Sequence, residues 1–331
     1  MRLAPRTLLL ALLAALVLVA AGCGREADDS NGGNGDGTAN AANNAEEELS
    51  GRVQADGSST VGPLTSAAAE LYREVQPGVN VTVGISGTGG GFERFCRGET
   101  DISNASRPID EEEVALCEEA GIEFTELQVA IDALTVVVNQ ENDWAECMTV
   151  DQLNAIWNPD SEIAKWSEVP DADFPDVAMS LAGPGTDSGT FDYFTDEVNG
   201  EEGASRTDYT PSEDDNVIVQ AVSGDRGGLG YFGFTYYEEN EDTLKAVEID
   251  GGDGCVAPSA EAARAGEYSP LSRPLFIYVK NEALERPEVE SFVGFFLDEI
   301  DTIAEAALFI PPSDEQKEDA LATFEAAAGT R

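Results

Sequence analysis

Three loops of this chain combine glycine with serine or threonine, and each loop comes directly before a helical pattern. They are Asp56–Val61, Ser86–Gly91 and Gly183–Thr190. A helix N-terminus presents backbone N–H groups that have no partner within the helix, at the positive end of the helix dipole, and therefore holds anions. Glycine lets the backbone approach a ligand closely, and the hydroxyl groups add donors. One such loop is usually an ordinary helix cap, but three in one chain predict an anion site.

A fourth segment adds a positive charge to this set. Ser106 and Arg107 stand directly before Pro108, and proline disfavours a helix at the preceding residue, so a turn is expected here. The arginine side chain carries five donors in a planar fork that suits an oxyanion. The alternative is a surface arginine paired with one of the many nearby carboxylates. The adjoining hydroxyl and the turn favour the ligand interpretation.

Alternating strands and helices must position these loops. Residues 79–83, 133–138 and 274–279 have the composition of strands. The second of these runs is almost continuously apolar, as a strand buried on both faces should be. Helical patterns at 64–75 and 111–120 lie on either side of the first strand. The alternation predicts an α/β fold with mostly parallel sheets.

The order of these elements fits two lobes, one built from both ends of the chain and the other from its middle. Two strands near 133–139 and 273–280 would then cross between the lobes as a hinge around a ligand cleft. Periodicity alone leaves open a second arrangement, two consecutive domains joined once. The aromatic run Tyr231–Tyr237 predicts a core strand with an edge, and the tail 287–329 predicts two amphipathic helices that close the first lobe.

The motifs in these segments resemble those of the periplasmic phosphate-binding protein family of ABC transporters, in particular the branch found in cyanobacteria and other bacteria. The motifs that carry the resemblance are Asp56–Val61, Gly87–Phe92, Ser106–Ile109, Gly185–Phe194, Ser212–Asn216 and Gly228–Gly233. The resemblance covers about residues 52–279. It implies an α/β fold of the two-lobed type II periplasmic-binding-protein class, with hinge strands and a central ligand cleft. Lobe I would comprise 51–138 and 274–331, and lobe II would comprise 139–273.

The resemblance also implies which residues hold phosphate through hydrogen bonds. Carried over by position, the hydroxyl and backbone donors are those of Ser59, Thr60, Thr88, Gly89, Gly90, Ser188, Gly189 and Thr190. The last three residues would close on the ligand from lobe II. Ser106 and Arg107, in the fourth segment, would also bind the ligand.

Two departures from the family pattern concern the charge and the proton of the ligand. Some members have an aspartate where Arg107 stands, which accepts the phosphate proton and rejects sulfate. The same members carry an arginine in the loop before Ser188, where this chain has Pro184–Thr186. Arg107 would then supply the positive charge from the opposite lobe. The proton acceptor would be Asp187 or Asp56, and the choice between them stays open.

The first residues have the composition of an export signal. Two arginines precede an apolar run, Leu8–Ala20, that is too short to span a bilayer. Small residues before Cys23 resemble a bacterial lipobox, which predicts a signal peptide over 1–22 and lipidation of Cys23. The alternative is a plain secretory signal with a chance cysteine. Residues 23–50 are rich in glycine, asparagine, aspartate and alanine, and predict a flexible tether.

The charge of the chain is strongly negative. The formal net charge is −47 at pH 7, and there is no histidine. Binding to nucleic acid is excluded as a function, because it requires clustered cations. A charge of this size causes self-repulsion that molar salt would screen, which favours a halophilic source. An acidic protein from an ordinary organism is the alternative.

Four cysteines remain apart from Cys23: Cys96, Cys117, Cys147 and Cys255. An even number in an exported protein suggests two disulfides, and three pairings are possible. Cys96 and Cys117 are close along the chain, whereas Cys147 and Cys255 fall in one predicted lobe. With no histidine and no Cys-x-x-Cys pair, the sequence predicts no metal and no cofactor.

Together these features predict a lipid-anchored monomer outside the cytoplasm that captures inorganic phosphate for an ABC transporter permease. Contact with the membrane would run through the lipid anchor only. An enzyme is not expected, because the chain lacks histidine and a Gly-x-Ser-x-Gly motif, and no base stands beside Ser59 or Ser188. The alternatives are a receptor for sulfate or molybdate, a surface phosphatase, and a sensor or adhesion module on the same fold.

Overall fold

The computed structural model describes residues 48–329. The predicted signal peptide, the lipidation of Cys23 and nearly all of the predicted tether lie outside the described residues. Within them, Leu49 already packs against a hydrophobic core, and its N–H donates to Gln76 Oε1 at 2.9 Å. No helix between residues 48 and 329 is both long enough and apolar enough to cross a bilayer.

The described residues form twelve strands. They are β1 (Gly51–Gly57), β2 (Val79–Val83), β3 (Ile102–Ala105), β4 (Phe124–Asn139), β5 (Cys147–Thr149), β6 (Ser180–Pro184), β7 (Thr210–Ser212), β8 (Gly228–Gly233), β9 (Leu244–Ala246), β10 (Glu248–Asp250), β11 (Cys255–Val256) and β12 (Ser272–Lys280). The three strands predicted from the sequence are confirmed as β2, β4 and β12, although β4 extends well beyond the predicted run at its N-terminal end.

Eleven α-helices are interspersed with these strands across residues 48–329. They are α1 (Val61–Val75), α2 (Gly87–Cys96), α3 (Glu111–Ala120), α4 (Val150–Trp157), α5 (Gly189–Asn199), α6 (Asp215–Ser223), α7 (Phe234–Asn240), α8 (Ala260–Ala265), α9 (Pro287–Asp298), α10 (Ile300–Ala306) and α11 (Asp314–Ala328). The predicted helix at 111–120 is confirmed. A capping box between Asp110 and Glu113 starts it, and Gly121, with a φ of 70°, ends it.

Nine of the strands form one continuous sheet that bends around β4. Its order is β2-β1-β3-β12-β4-β8-β6-β7, and β9 also pairs with β4. The N-terminal part of β4 pairs with β12, and its C-terminal part pairs with β8 and β9. The prediction of mostly parallel sheets is wrong. Strands β1, β2 and β3 are parallel to one another, and so are β6, β7 and β8. Strands β4 and β12, which lie between these two groups, run antiparallel to their neighbours. The reason is that the chain leaves the first half of the sheet along β4 and returns along β12.

Two large hydrophobic cores flank the two halves of this sheet. The first packs α1, α9, α10 and α11 on β1 and β12, with Tyr72 against Phe292 at 5.3 Å between ring centroids. The second surrounds Trp157 and includes Val136 and Val138, whereas Val137 points into a smaller cluster on the other face of β4. The strand is therefore buried on both faces, as its apolar run predicted.

Two predictions for the C-terminal half are wrong. The run Tyr231–Tyr237 is not one strand, because β8 ends at Gly233 and α7 begins at Phe234, whose ring is buried in a cluster with Ile131. The tail forms three helices rather than two, because the backbone leaves helical geometry at Glu299, between α9 and α10.

Both predicted disulfides are present. Cys96 pairs with Cys117 and joins α2 to α3, with the Cα atoms 4.4 Å apart. Cys147 pairs with Cys255 and joins β5 to β11, with the Cα atoms 6.0 Å apart. The structure thereby selects one of the three pairings that the sequence left open.

Candidate anion-binding site

A cavity of about 490 Å³ lies where the two halves of the sheet meet, and three of the four predicted segments open onto it. The predicted residues that line it are Ser59, Thr60, Thr88, Gly89, Gly90, Ser106 and Arg107. The exception is the third segment, whose residues Ser188, Gly189 and Thr190 lie at the start of α5, while the body of that helix forms the opposite wall.

The first segment offers hydroxyl groups. Ser58 Oγ accepts the N–H groups of Thr60 and Val61 at 3.2 and 3.4 Å, so these two donors of the α1 terminus are already used. Gly57 makes the turn possible, because its φ is 139° and a Cβ atom there would lie 2.1 Å from the carbonyl oxygen of Asn104. Ser59, which is exposed, and Thr60 both line the cavity.

The second segment offers backbone donors. Ser86, at the N-cap of α2, makes no side-chain cap and donates its hydroxyl to Asp56 Oδ1 at 2.5 Å instead. Thr88 and Gly89 are the second and third residues of this helix, where N–H groups have no partner within a helix. The helix lies close to β1, because a Cβ atom at Gly91 would be 2.5 Å from the Cα atom of Gly57.

Two hydroxyl groups converge beside this helix terminus. Thr88 Oγ1 lies 3.1 Å from Ser106 Oγ, and it also accepts the backbone N–H of Ser106 at 3.3 Å. The turn that follows β3 is thus fixed to the start of α2, and both side chains line the cavity.

Arg107 lines the cavity and is also paired with a carboxylate. Its Nη1 and Nη2 atoms each donate to Glu113 at 2.8 Å, in a two-pronged contact, and Asp110 lies 3.7 Å away. The hydrogen bonds that Arg107 donates to Glu113 raise the pKa of Arg107 above its ordinary value. The carboxylate pairing that the sequence offered as the alternative is therefore present, and contact between Arg107 and a ligand stays a prediction.

The third segment meets the first across the cavity. Ser188 caps α5 by accepting the N–H of Thr190 at 3.2 Å, and Gly189 is the first residue of the helix. A Cβ atom on Gly189 would lie 3.2 Å from Thr60 Oγ1. The N-termini of α1 and α5 are therefore in direct contact.

Neither of the two predicted proton acceptors lines the cavity. Asp56 is buried, accepts from Ser86 and is ion-paired with Arg94. Asp187 is exposed on the loop before α5, where its N–H donates to Glu213 Oε1 at 3.4 Å.

Other carboxylates do line the cavity, and the sequence interpretation missed them. They are Asp192, Asp196, Glu197 and Glu202. Burial raises the pKa of Asp192, with repulsion from Glu202 as a further cause, and burial likewise raises the pKa of Glu197. Their signal in the sequence was the spacing along α5, because Asp192 and Asp196 are four residues apart and neighbour each other on the helix surface, as do Tyr193 and Glu197.

A second arginine, also missed, lines the cavity from β12. Arg273 Nη2 donates to Thr60 Oγ1 at 3.1 Å and to Asp132 Oδ2 at 3.2 Å. Its guanidinium lies 3.6 Å from the centroid of the Tyr193 ring. The signal that could have found it is the Arg–Pro pair formed with Pro274, which repeats the pair that drew attention to Arg107.

The arrangement can hold a small tetrahedral oxyanion. Hydroxyl groups, helix N-termini and two guanidinium groups face one side of the cavity, and carboxylates that could accept a proton face it from α5. Across residues 48–329, no three or more cysteine, aspartate or glutamate side chains are grouped to hold a metal ion.

Comparisons with known proteins agree with this geometry. A family model described as the PBP superfamily domain matches residues 42–299. Protein SphX of Synechococcus elongatus is 48% identical over 262 residues, which cover 78% of this chain and 77% of that protein. The phosphate-binding protein PstS of Staphylococcus haemolyticus is 37% identical, over 83% of this chain and 85% of PstS. A crystal structure of a possible phosphate binding protein from Planctomyces limnophilus superposes with a TM-score of 0.81 at 47% identity, covering 84% of this chain and 99% of that one.

The fold is that of the type II periplasmic binding proteins, so the fold class predicted from the sequence is confirmed. The chain belongs to the phosphate-binding protein family of ABC transporters, together with SphX and PstS. The family resemblance inferred from the loop motifs is confirmed with it.

Proposed function

We propose that this protein captures inorganic phosphate and delivers it to an ABC uptake transporter. The observation that carries the proposal is the convergence of Thr60, Thr88 and Ser106 hydroxyl groups with the start of α2 at one cavity. These groups can surround a phosphate with donors and need no metal. The relative PstS is a phosphate-binding protein, which supports the same ligand.

Selectivity for phosphate over sulfate would come from a carboxylate that accepts the phosphate proton. Sulfate carries no proton at neutral pH, so a carboxylate facing it would repel it without gaining a hydrogen bond. Asp192 is the candidate that the geometry favours, because it lines the cavity and is partly buried, whereas Asp56 is engaged by Arg94 and Asp187 lies outside.

Capture would involve closure of two lobes, 51–138 with 274–331 and 139–273. The two separate hydrophobic cores and the continuous strand β4 that joins them support this division. Ser188, Gly189 and Thr190 would approach the ligand from the second lobe as the cleft closes.

The protein would act as a receptor and not as an enzyme. Ser59 is exposed, and Ser188 Oγ serves as the cap of its own helix, so neither hydroxyl is paired with a base in the described part of the chain. Incubation with a chromogenic phosphate ester is expected to release no chromophore above the rate without protein. Release that is lost on substitution of Ser59 or Ser188 would contradict this.

The same proposal extends to the location and the partners of the protein. We expect export by the first 22 residues, a lipid anchor at Cys23, a position outside the cytoplasmic membrane, and a monomer that docks on a permease. The charge of −47 supports a source rich in salt.

Thermal unfolding in the presence of different anions tests the ligand. Phosphate at about one hundred times its dissociation constant should stabilise the fold by about 2.7 kcal/mol. Sulfate and molybdate at the same concentration should leave the unfolding midpoint unchanged. If sulfate or molybdate shifts the unfolding midpoint as much as phosphate does, the protein is not a selective phosphate receptor and its ligand is another oxyanion.

A further inference from the structure

Arg273 is held at a junction of three parts of the molecule. It stands at the start of β12, pairs with Asp132 on β4, donates to Thr60 at the start of α1, and stacks on Tyr193 of α5. Asp132, Thr60 and Tyr193 are all buried, and Arg273 is 19% exposed toward the cavity.

The two arginines of the cavity differ in what their donors contact. Both Nη atoms of Arg107 donate to the two oxygens of Glu113. Arg273 uses Nε and Nη2 on a single oxygen of Asp132, at 3.2 Å each, and in the described part of the chain nothing accepts from its Nη1 atom. Arg273 therefore keeps donors for a ligand, whereas Arg107 would first have to leave Glu113.

The contact between Arg273 and Thr60 also orients a second donor. A hydroxyl group has one proton and two acceptor lone pairs. Because Thr60 Oγ1 accepts from Arg273 Nη2 at 3.1 Å, its own proton is free to point at an anion in the cavity. One side chain thus supplies a cation and fixes the direction of the neighbouring hydroxyl.

Tyr193 connects this cation to the opposite wall. Its ring stacks on the guanidinium at 3.6 Å, and its hydroxyl donates to the carbonyl oxygen of Pro270 at 2.6 Å, just before β12. Asp192, which also lines the cavity, is the preceding residue of α5. Movement of α5 is therefore coupled to the position of Arg273.

We infer that Arg273 is the cation that holds the captured anion beside Thr60, and that Tyr193 couples this contact to closure of α5. The inference rests on the proposed function, since it assigns the charge at the same site. It places the positive charge of the site on β12, whereas the loop motifs placed it on Arg107.

The test compares phosphate affinity in variants designed to keep the fold. Arg273→Lys keeps the charge and removes the planar fork. The double variant Arg273→Gln with Asp132→Asn removes both partners together, so that no unpaired charge is left buried. Tyr193→Leu removes the stacking ring. Arg226→Ala is the matched control. Like Arg273, Arg226 stacks on an aromatic ring, with its guanidinium 5.0 Å from the centroid of the Trp144 ring, and pairs with an aspartate, Asp143. Neither Arg226 nor Asp143 lines the cavity.

Calorimetric titration with inorganic phosphate should give at least about tenfold weaker binding for Arg273→Lys and for the double variant, the loss expected for a charge-assisted hydrogen bond. Tyr193→Leu should weaken binding and reduce the compaction that phosphate causes in small-angle scattering. Arg226→Ala should bind as the unmodified protein does. The unfolding midpoint without phosphate, which a purely structural role would lower, should stay within a few degrees for Arg273→Lys.

Failure of the proposed function and failure of the Arg273 assignment would give different results. If the unmodified protein binds no phosphate, the proposed function is wrong. If it binds phosphate and both Arg273 variants, folded, bind within about twofold of it, the assignment of Arg273 is wrong. A loss in Arg273→Lys that is matched by an equal loss in Arg226→Ala would also overturn it.

Discussion

Gly189 lies so close to Thr60 that a Cβ atom on the glycine would be 3.2 Å from the threonine Oγ1 atom. The first residue of α5 thus contacts the N-cap of α1, although the two helices belong to different halves of the sheet. A side chain at this position would require Thr60 or α5 to shift by a few tenths of an ångström.

Substitution Gly189→Ala should weaken phosphate binding by about tenfold. The added methyl group must displace Thr60 or α5 by a few tenths of an ångström, which distorts several hydrogen bonds to the anion at once. Gly233→Ala is the control, because Gly233 has an ordinary φ and a Cβ atom added there would meet no other atom within 4 Å. Calorimetry measures both variants, and equal affinity in the two would show that close contact at Gly189 is not needed.

Asp192→Asn should reduce the preference for phosphate over sulfate by at least about tenfold, because an amide does not repel sulfate and accepts the phosphate proton less strongly. The measurement is the ratio of the two dissociation constants. Asp187→Asn makes the same change of charge on an exposed residue that does not line the cavity, and should leave the ratio unaltered. Selectivity that survives Asp192→Asn would move the proton acceptor to another residue.

Asp215 should make the fold less stable as the pH rises. Burial and the neighbouring Asp214 and Glu213 raise its pKa to about 6, from an ordinary value of 3.8. The folded chain therefore binds more protons than the unfolded chain between these two values, so stability is full below about pH 4 and falls until about pH 6. Asp215→Asn should stabilise the protein at pH 7 by about 1 kcal/mol, after allowance for solvent screening, and change little at pH 4.

Chemical denaturation at several pH values measures this effect. Asp319→Asn, an exposed aspartate on α11, removes the same charge from a solvated surface and serves as control. Equal gains for the two variants at pH 7 would attribute the effect to net charge and not to the surroundings of Asp215.

Removal of the Cys147–Cys255 disulfide should be costly. The bond closes a loop with a sequence separation of 108 residues, for which chain entropy predicts a loss of about 5 kcal/mol in the free energy of unfolding. Neither cysteine is fully buried, so Cys147→Ala with Cys255→Ala removes little packing and reports mainly the cross-link. Denaturant titration measures the loss, and a value below about 1 kcal/mol would contradict the expectation.

Much of this fold could be predicted from the sequence where one local signal dominates. The run Val136–Val138 consists of β-branched apolar residues, which favour a strand buried on both faces, and the structure has this strand. The helix at 111–120 is set by its capping box and by Gly121. Two of the glycine and hydroxyl loops, together with the Ser106–Arg107 segment, identified residues that line one side of the cavity, because glycine and hydroxyl residues directly before a helix form a short local motif.

The remaining features depend on contacts between distant parts of the chain. Arg273 and Asp132 are 141 residues apart, and no local pattern shows that β12 and β4 bring them together beside Thr60. The pairing of Arg107 with Glu113 was one of many arrangements that an acidic sequence allows. The end of β8 at Gly233 was missed because the aromatic run continues past the glycine, and burial of Phe234 in a different cluster decides the change to a helix.

Titration of the purified full-length protein with inorganic phosphate, in high salt and with or without excess sulfate, measures whether the protein is a selective phosphate receptor. We expect one phosphate bound per chain, with an affinity that excess sulfate does not change. A folded protein that binds no phosphate, or one from which sulfate displaces phosphate at a comparable concentration, would contradict it.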